Sequence, residues 1–174
     1  KIGSSEFGTR AARSHTASLT GSDRVYEAAF KQYGVVRVHD WDELLEVTQL
    51  LAYSPPVKKP GVAVVSHSGG IGSLTADNCG RVGLVLPELT EHTRDAMNEI
   101  MHGFGWAANP ADIGGGGTPP EAFPKMIDYM VNEPEIGTLV VASAGNDTHA
   151  QHVVNLRNTS GKVVTYLWTG LRSA

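Results

Sequence analysis

The chain has 174 residues, 41% of them hydrophobic, with 20 glycines, one cysteine and a formal net charge of -4. That is enough apolar material for one full domain and part of a second, and the net acidity excludes the clustered cationic surface that nucleic acid or an anionic membrane requires. No apolar run approaches the roughly 18 to 20 residues of a membrane-crossing helix, and no charged segment followed by an apolar one marks a secretory signal.

These features predict a cytoplasmic protein with neither nucleic acid nor membrane as partner. The lone Cys79 rules out an internal disulfide and reads as a small packed apolar side chain. The first residue is Lys1, which leads into Gly3-Ser4-Ser5-Glu6-Phe7-Gly8 with no strand before it. The reading is of a piece cut from a longer chain.

Residues 1–21 are small and polar, with Gly3, Gly8 and Gly21 and no sustained apolar period, and are expected to form a loop. From Ser22, the spacing of Val25, Ala28, Ala29 and Gln32 predicts a helix that Ser22 or Asp23 caps and Gly34 ends. Val35 to Val38 is a short predicted strand. Asp40 caps a second helix whose apolar side carries Trp41, Leu44, Leu45 and Leu51, until Pro55 and Pro56 stop it. The stretch from Ser54 to Gly61 is the predicted linker.

Beyond Gly61 the chain alternates apolar runs with helical stretches, the pattern of a parallel sheet. The predicted strands are Val62 to Val65, Leu84 to Pro87, a short piece near Pro110 to Ile113, Leu139 to Ser143, and Val163 to Trp168. Helices are predicted over 70–82, 91–102, 120–132 and 148–159. The fold class is therefore α/β, a flavodoxin-like doubly wound sheet preceded by a partial α/β segment. In such sheets ligands bind beyond the carboxyl ends of the strands. Three conspicuous segments end there: Ser66-His67-Ser68-Gly69-Gly70-Ile71-Gly72, Asn109-Pro110-Ala111-Asp112-Ile113 with its four following glycines, and Ala144-Gly145-Asn146-Asp147.

The turn Ser68-Gly69-Gly70-Ile71-Gly72 leaves a strand and enters a helix, so its amides and the positive helix end favour an anion. It has neither the dinucleotide spacing nor a Walker lysine. The same turn also admits a nucleophile-elbow reading, with Ser68 as nucleophile and Asp147 and His149 or His152 as partners, although Ser66 replaces the required glycine. His149 and His152 have the spacing of two metal ligands with no third in view, so surface histidines are expected and no metal site. Asp112 is a rim residue of turn-forming type.

His15 lies among small residues in a glycine-bounded segment. A mostly neutral imidazole, with an ordinary pKa of about 6.5, is a competent nucleophile toward phosphorus near neutral pH. Composition alone leaves a solvated loop histidine as the other reading.

The run Ala11-Ala12-x-Ser14-His15-Thr16-x-x-Leu19-x-Gly21-Ser22-Asp23, followed by Tyr26, Ala28-Ala29-Phe30, Gln32 and Gly34-Val35, resembles the nucleoside-diphosphate-forming acyl-CoA synthetases. These are relatives of succinyl-CoA synthetase and include the ADP-forming acetate:CoA ligases. The resemblance continues through Ser66-x-Ser68-Gly69-Gly70-x-Gly72, Gly83-Leu84-x-Leu86-Pro87 and Asn109-Pro110-x-Asp112, over nearly the whole chain. It departs at Ala17-Ser18, where the family carries Gly-Ala, which removes a flexible glycine beside the histidine.

The resemblance implies that His15 is the phosphorylated histidine and that the enzyme is an acid:CoA ligase working through an acyl phosphate and a phosphohistidine relay. Residues 1–56 would be the end of the histidine-bearing CoA-ligase domain and 61–174 the succinyl-CoA-ligase-like flavodoxin domain. It further implies CoA and ATP/ADP with magnesium in the full enzyme, a carboxylic acid substrate, a homo-oligomer, and CoA-binding and ATP-grasp domains elsewhere in the chain or on a partner subunit. The chain alone is expected to be inactive and to bind at most phosphate or sulfate. A catalytically silent, acyl-CoA-sensing regulatory module is the alternative of another class, alongside the Ser68 hydrolase. Neither the acid activated nor the choice of ADP over GDP follows from the sequence.

Overall fold

The computed structural model describes residues 1–16, 21–114, 119, 121–144 and 147–170, with the side chains of residues 15, 16 and 147 outside that description. The chain divides into two compact units, Lys1–Gln49 and Leu50–Ala174.

In the first unit most of the described part of the expected loop is a helix, α1 (Glu6–Thr16), with residues 1–5 and Gly21 irregular. Ser5 Oγ accepts the amide of Gly8 at 3.1 Å, Glu6 sits in the positively charged first turn, and Arg10-Ala11-Ala12-Arg13 are strong helix formers. Propensity and a cap make a helix here without an apolar stripe. Helix α2 (Asp23–Tyr33) follows Ser22 and ends at Gly34, which takes the left-handed conformation at φ 66°.

The predicted strand Val35 to Val38 is not one, since no described segment of this unit pairs with it and a strand exists only through its ladder. Instead Arg37 reaches back to α2, donating to both carboxylate oxygens of Asp23 at 2.9 and 3.1 Å and to Glu27 at 2.7 Å. The Arg37 hydrogen bond holds the Asp23 carboxyl below its ordinary range. Helix α3 (Trp41–Tyr53) is capped by Asp40 Oδ1, which accepts the Glu43 amide at 2.8 Å, while Glu43 accepts the His39 amide at 2.6 Å. No residue of α2 or α3 is buried.

The second unit is built on a parallel sheet of β1 (Gly61–Ser66), β2 (Ala111–Asp112), β3 (Ile136–Ser143) and β4 (Val163–Trp168), in the spatial order β2-β1-β3-β4. Every pairing is parallel, with Val65 opposite Ala111 and Val141, and Val141 opposite Tyr166. The predicted strand Leu84 to Pro87 is reduced to one bridge, Val85 to Gly61. This segment and the two-residue β2 together edge β1. Asn109 joins them: its amide donates to the carbonyls of Val62 and Pro87, and its Oδ1 accepts the amide of Val64 at 2.9 Å. The side chain supplies the bonds that a longer edge strand would have made.

Helix α4 (Gly69–Arg81) covers one face of the sheet, where Val62 and Val64 meet buried Cys79. The other face carries α5 (Glu91–Met101), α6 (Ala122–Asn132) and α7 (Asp147–Thr159). There Ala63, Val65, Leu139 and Val141 pack against Met97, Phe123, Met126, Ile127 and Val153. Glu133, only 5% exposed, fastens α5 to α6 by accepting the amide and hydroxyl of Thr90, the N-cap of α5, at 3.0 and 2.7 Å. From β1 the chain winds one way to β2 and the other way to β3 and β4. The expected doubly wound α/β arrangement is present, with its switch point between β1 and β3.

Candidate functional site

Strands β1, β2 and β3 end together at Ser66, Asp112 and Ser143, so the described beginnings of the three predicted segments lie on one rim. Ser68 is the N-cap of α4, extended at φ -135° and ψ 116°, and its Oγ accepts the amide of Ile71 at 3.5 Å. The amide of Ser68 donates to Ser66 Oγ at 3.0 Å and that of Gly72 to the carbonyl of Ser68 at 2.9 Å.

Three of the five predicted amides are thus committed within the turn. Those of Gly69 and Gly70 have no partner among the described residues, and they head a helix of 13 residues. A Cβ on Gly70 would touch only Ser68 Oγ at 3.8 Å, so the space before it is open, whereas one on Gly69 would lie 2.7 Å from Asp112 Oδ2. Asp112 itself accepts the amide of Gly114 at 3.0 Å.

His15 is in the last turn of α1; its imidazole lies outside the described side chains. The glycine-rich stretch 115–117, residues 145 and 146, and the Asp147 side chain also lie outside them.

His149 and His152, expected as surface histidines and weighed as partners of Ser68, are instead both partly buried and engaged. His152 Nε2 pairs with Asp128 Oδ1 at 2.9 Å, and His149 packs against Phe123 with ring centroids 4.2 Å apart and planes tilted by 32°. Among the described residues no group of three His, Cys, Asp or Glu could hold a metal ion.

A cluster at the switch point went unread in the sequence. His67, between Ser66 and the N-cap, stacks on buried Phe123 at 4.0 Å and lies 5.4 Å from His149, with Nδ1 3.1 Å from Ser143 Oγ. Burial and the neighbouring His149 push the His67 imidazole below its ordinary range, against a smaller opposing pull from Asp112. Burial and His152 do the same to His149. Both rings are held toward the neutral form. The available signal was positional: each histidine lies at the end of a strand or in the first turn of the following helix, where a parallel sheet gathers its loops.

Comparison with known proteins places this geometry in context. The family model for the Ligase-CoA domain matches residues 62–154, just over half of the chain, and that for the succinyl-CoA ligase like flavodoxin domain matches residues 1–51. The two descriptions fall in the reverse order to the one expected from the resemblance. An ADP-forming acetate–CoA ligase of Methanocaldococcus jannaschii is 35% identical over 119 residues, which are 68% of this chain and 17% of the relative. The alpha subunit of ADP-forming acetate–CoA ligase II of Pyrococcus furiosus is 42% identical over 114 residues, 65% of this chain and 24% of the relative.

Among solved structures, the dinucleotide forming acetyl-coenzyme A synthetase 1 of Ca. Korarchaeum cryptofilum, in complex with phosphate and ADP, superposes with a TM-score of 0.81 at 28% identity. The match covers 95% of this chain and 37% of that one. The chain thus spans about a fifth of the length of these curated relatives.

Proposed function

Because the chain belongs to the Ligase-CoA domain family, we propose that it is one part of a nucleoside-diphosphate-forming acid:CoA ligase, in which His15 carries a phosphoryl group and the Ser68–Gly72 turn receives one. The observation that carries this reading is the pair of amides, Gly69 and Gly70, without a partner among the described residues, at the head of α4 and on the rim where parallel strands end. Open backbone donors at a helix N-terminus neutralise a phosphate without a side-chain cation. The names of the similar ligases agree with that chemistry.

In the direction that consumes acyl-CoA and forms the nucleoside triphosphate, phosphate displaces CoA from an acyl-CoA to give an acyl phosphate. An imidazole nitrogen of His15 then attacks the phosphorus. The P–O bond to the acyl group breaks, the carboxylate leaves as the free acid, and an N–P bond holds the phosphoryl group until a nucleoside diphosphate oxygen attacks. One difficult transfer becomes two easier ones, which is the advantage of a covalent intermediate.

CoA and the ATP/ADP pair are the other substrates, and magnesium accompanies the nucleotide. CoA-binding and ATP-grasp domains, in the same chain or on a partner subunit, complete a cytoplasmic, homo-oligomeric enzyme. Residues 1–56 contribute the acceptor histidine and residues 61–174 the receiving turn.

The test is incubation of the complete enzyme with γ-labelled ATP and magnesium, followed by mapping of acid-labile phosphate. Label on His15, lost in His15→Ala, is expected. Full labelling of the His15→Ala enzyme refutes the assignment.

A further inference from the structure

On the outer side of β2, away from the turn at Ser68, an open cleft of about 450 Å³ lies between α5 and the segment that returns from it to β2. Its construction starts with the run His102-Gly103-Phe104-Gly105-Trp106. His102 ends α5 in the left-handed conformation, at φ 50°. Gly105 has φ 94°, and a Cβ there would lie 2.3 Å from the Asp112 carbonyl oxygen and 2.8 Å from Met101 Sδ, so only glycine lets the chain pass. Trp106 is then fixed by two backbone bonds to Asp112, its amide donating at 2.6 Å and its carbonyl accepting at 3.1 Å. The backbone is rigid, yet the indole is 69% exposed.

Buried Leu89 lines the cleft together with Trp106, with Arg94 and Asn98, one helical turn apart on α5, and with Glu88. None of these three polar side chains has a hydrogen bond or an ion pair with any described residue. The volume is in the range of small-molecule sites.

The cleft therefore presents one broad π surface, one guanidinium, one amide with both donor and acceptor, and one carboxylate. A simple anion would meet Glu88 as well as Arg94, and an apolar ligand would leave all three polar groups unanswered. A purine nucleotide satisfies each of them. Its bicyclic ring matches an indole face, an adenine edge accepts and donates to an amide such as Asn98 in bidentate fashion, an exocyclic amine answers a carboxylate, and a phosphate pairs with a guanidinium.

We propose that the Trp106–Arg94 cleft is a binding site for an adenine nucleotide, free or as the nucleotide end of CoA. This site is separate from the phosphoryl-receiving turn and does not depend on it.

The test is equilibrium quenching of tryptophan fluorescence in this chain by AMP, by CoA, by adenosine and by inorganic phosphate alone. Trp41 and Trp168 stay in place as internal references. Saturable quenching by AMP or CoA is expected, and the tighter of the two identifies the source of the nucleotide. Trp106→Leu, titrated by calorimetry because the variant lacks the reporting indole, should weaken that binding by about tenfold or more, the effect of losing one base stack.

Arg94→Gln should weaken AMP or CoA without changing adenosine, because only the phosphate contact is removed. Both side chains are exposed, and unchanged far-ultraviolet dichroism would show that the variants keep the fold. The absence of saturable quenching at millimolar nucleotide overturns the proposal. So does binding of equal strength in the wild type and both variants, or equal quenching by phosphate alone.

Discussion

Replacing Gly69 by proline deletes one of the two amides at the head of α4 that lack a partner among the described residues, while leaving the helix able to form. Gly69 is the first helical residue, where proline is tolerated because its missing N–H has no intrahelical role. Ser68, the residue before it, already has the extended φ and ψ that a following proline demands. The complication is steric, since a Cβ at this position would approach Asp112 Oδ2 to 2.7 Å. Gly69→Ala introduces that same Cβ and keeps the N–H, so the difference between the two variants isolates the donor.

A hydrogen bond to a charged group contributes about 1.5–3 kcal/mol. At about 1.4 kcal/mol per factor of ten, Gly69→Pro should bind phosphate at least about tenfold more weakly than Gly69→Ala. Titration of both variants with inorganic phosphate, followed through the Gly70 backbone amide by NMR, reads the ratio. Equal affinities would refute the assignment of the turn as a phosphate cradle, because the donor would then have no part in holding the anion.

Three further outcomes follow from the packing and the charges. Met126, on α6, is fully buried in the core that α6 forms with β1 and β3, so Met126→Ala should lower unfolding stability by about 2–5 kcal/mol in urea titrations. Burial raises the Glu133 carboxyl, but the hydrogen bonds of Thr93 and Thr90, with help from Lys162, outweigh it and hold the group below its ordinary range. Glu133→Gln should therefore destabilise the unit at neutral pH and narrow its stability difference from wild type as the pH falls into the carboxylate range, in paired melting curves. His67 and His149 are both held below the ordinary histidine range, chiefly by burial, so the unfolded chain takes up protons first on acidification. Their contribution to stability is present above a pH of about 6.5 and is lost below it, and a His67→Phe variant should show a flatter decline in melting temperature from pH 7 to pH 5.

The parallel sheet was legible because β1 and β3 are continuous apolar runs flanked by helices with clear caps: Ser68 before α4, Thr90 before α5, and Gly34 after α2. What failed to read were elements that depend on something other than an apolar period. Helix α1 is made by Ser5 and a run of good helix formers, so its lack of a stripe passed for a loop. Leu84 to Pro87 has the composition of a strand, but Asn109 takes the carbonyl of Pro87, and the segment makes one bridge only. Val35 to Val38 is rich in β-branched residues, yet no described segment of its unit pairs with it.

The site divides along the same line. The turn at Ser68 announces itself through its glycines, a local feature. The His67, Phe123 and His149 stack joins three segments far apart in sequence, and the Trp106 cleft depends on the close approach of Gly105 to Asp112. Neither leaves a local pattern.

If phosphate on His15 lies on the reaction path, a pulse-chase on the phosphorylated complete enzyme will follow it there. Label placed on His15 should be discharged at least as fast as the enzyme turns over, both by a nucleoside diphosphate and, separately, by the acid with CoA. Discharge slower than turnover from either side would contradict the account.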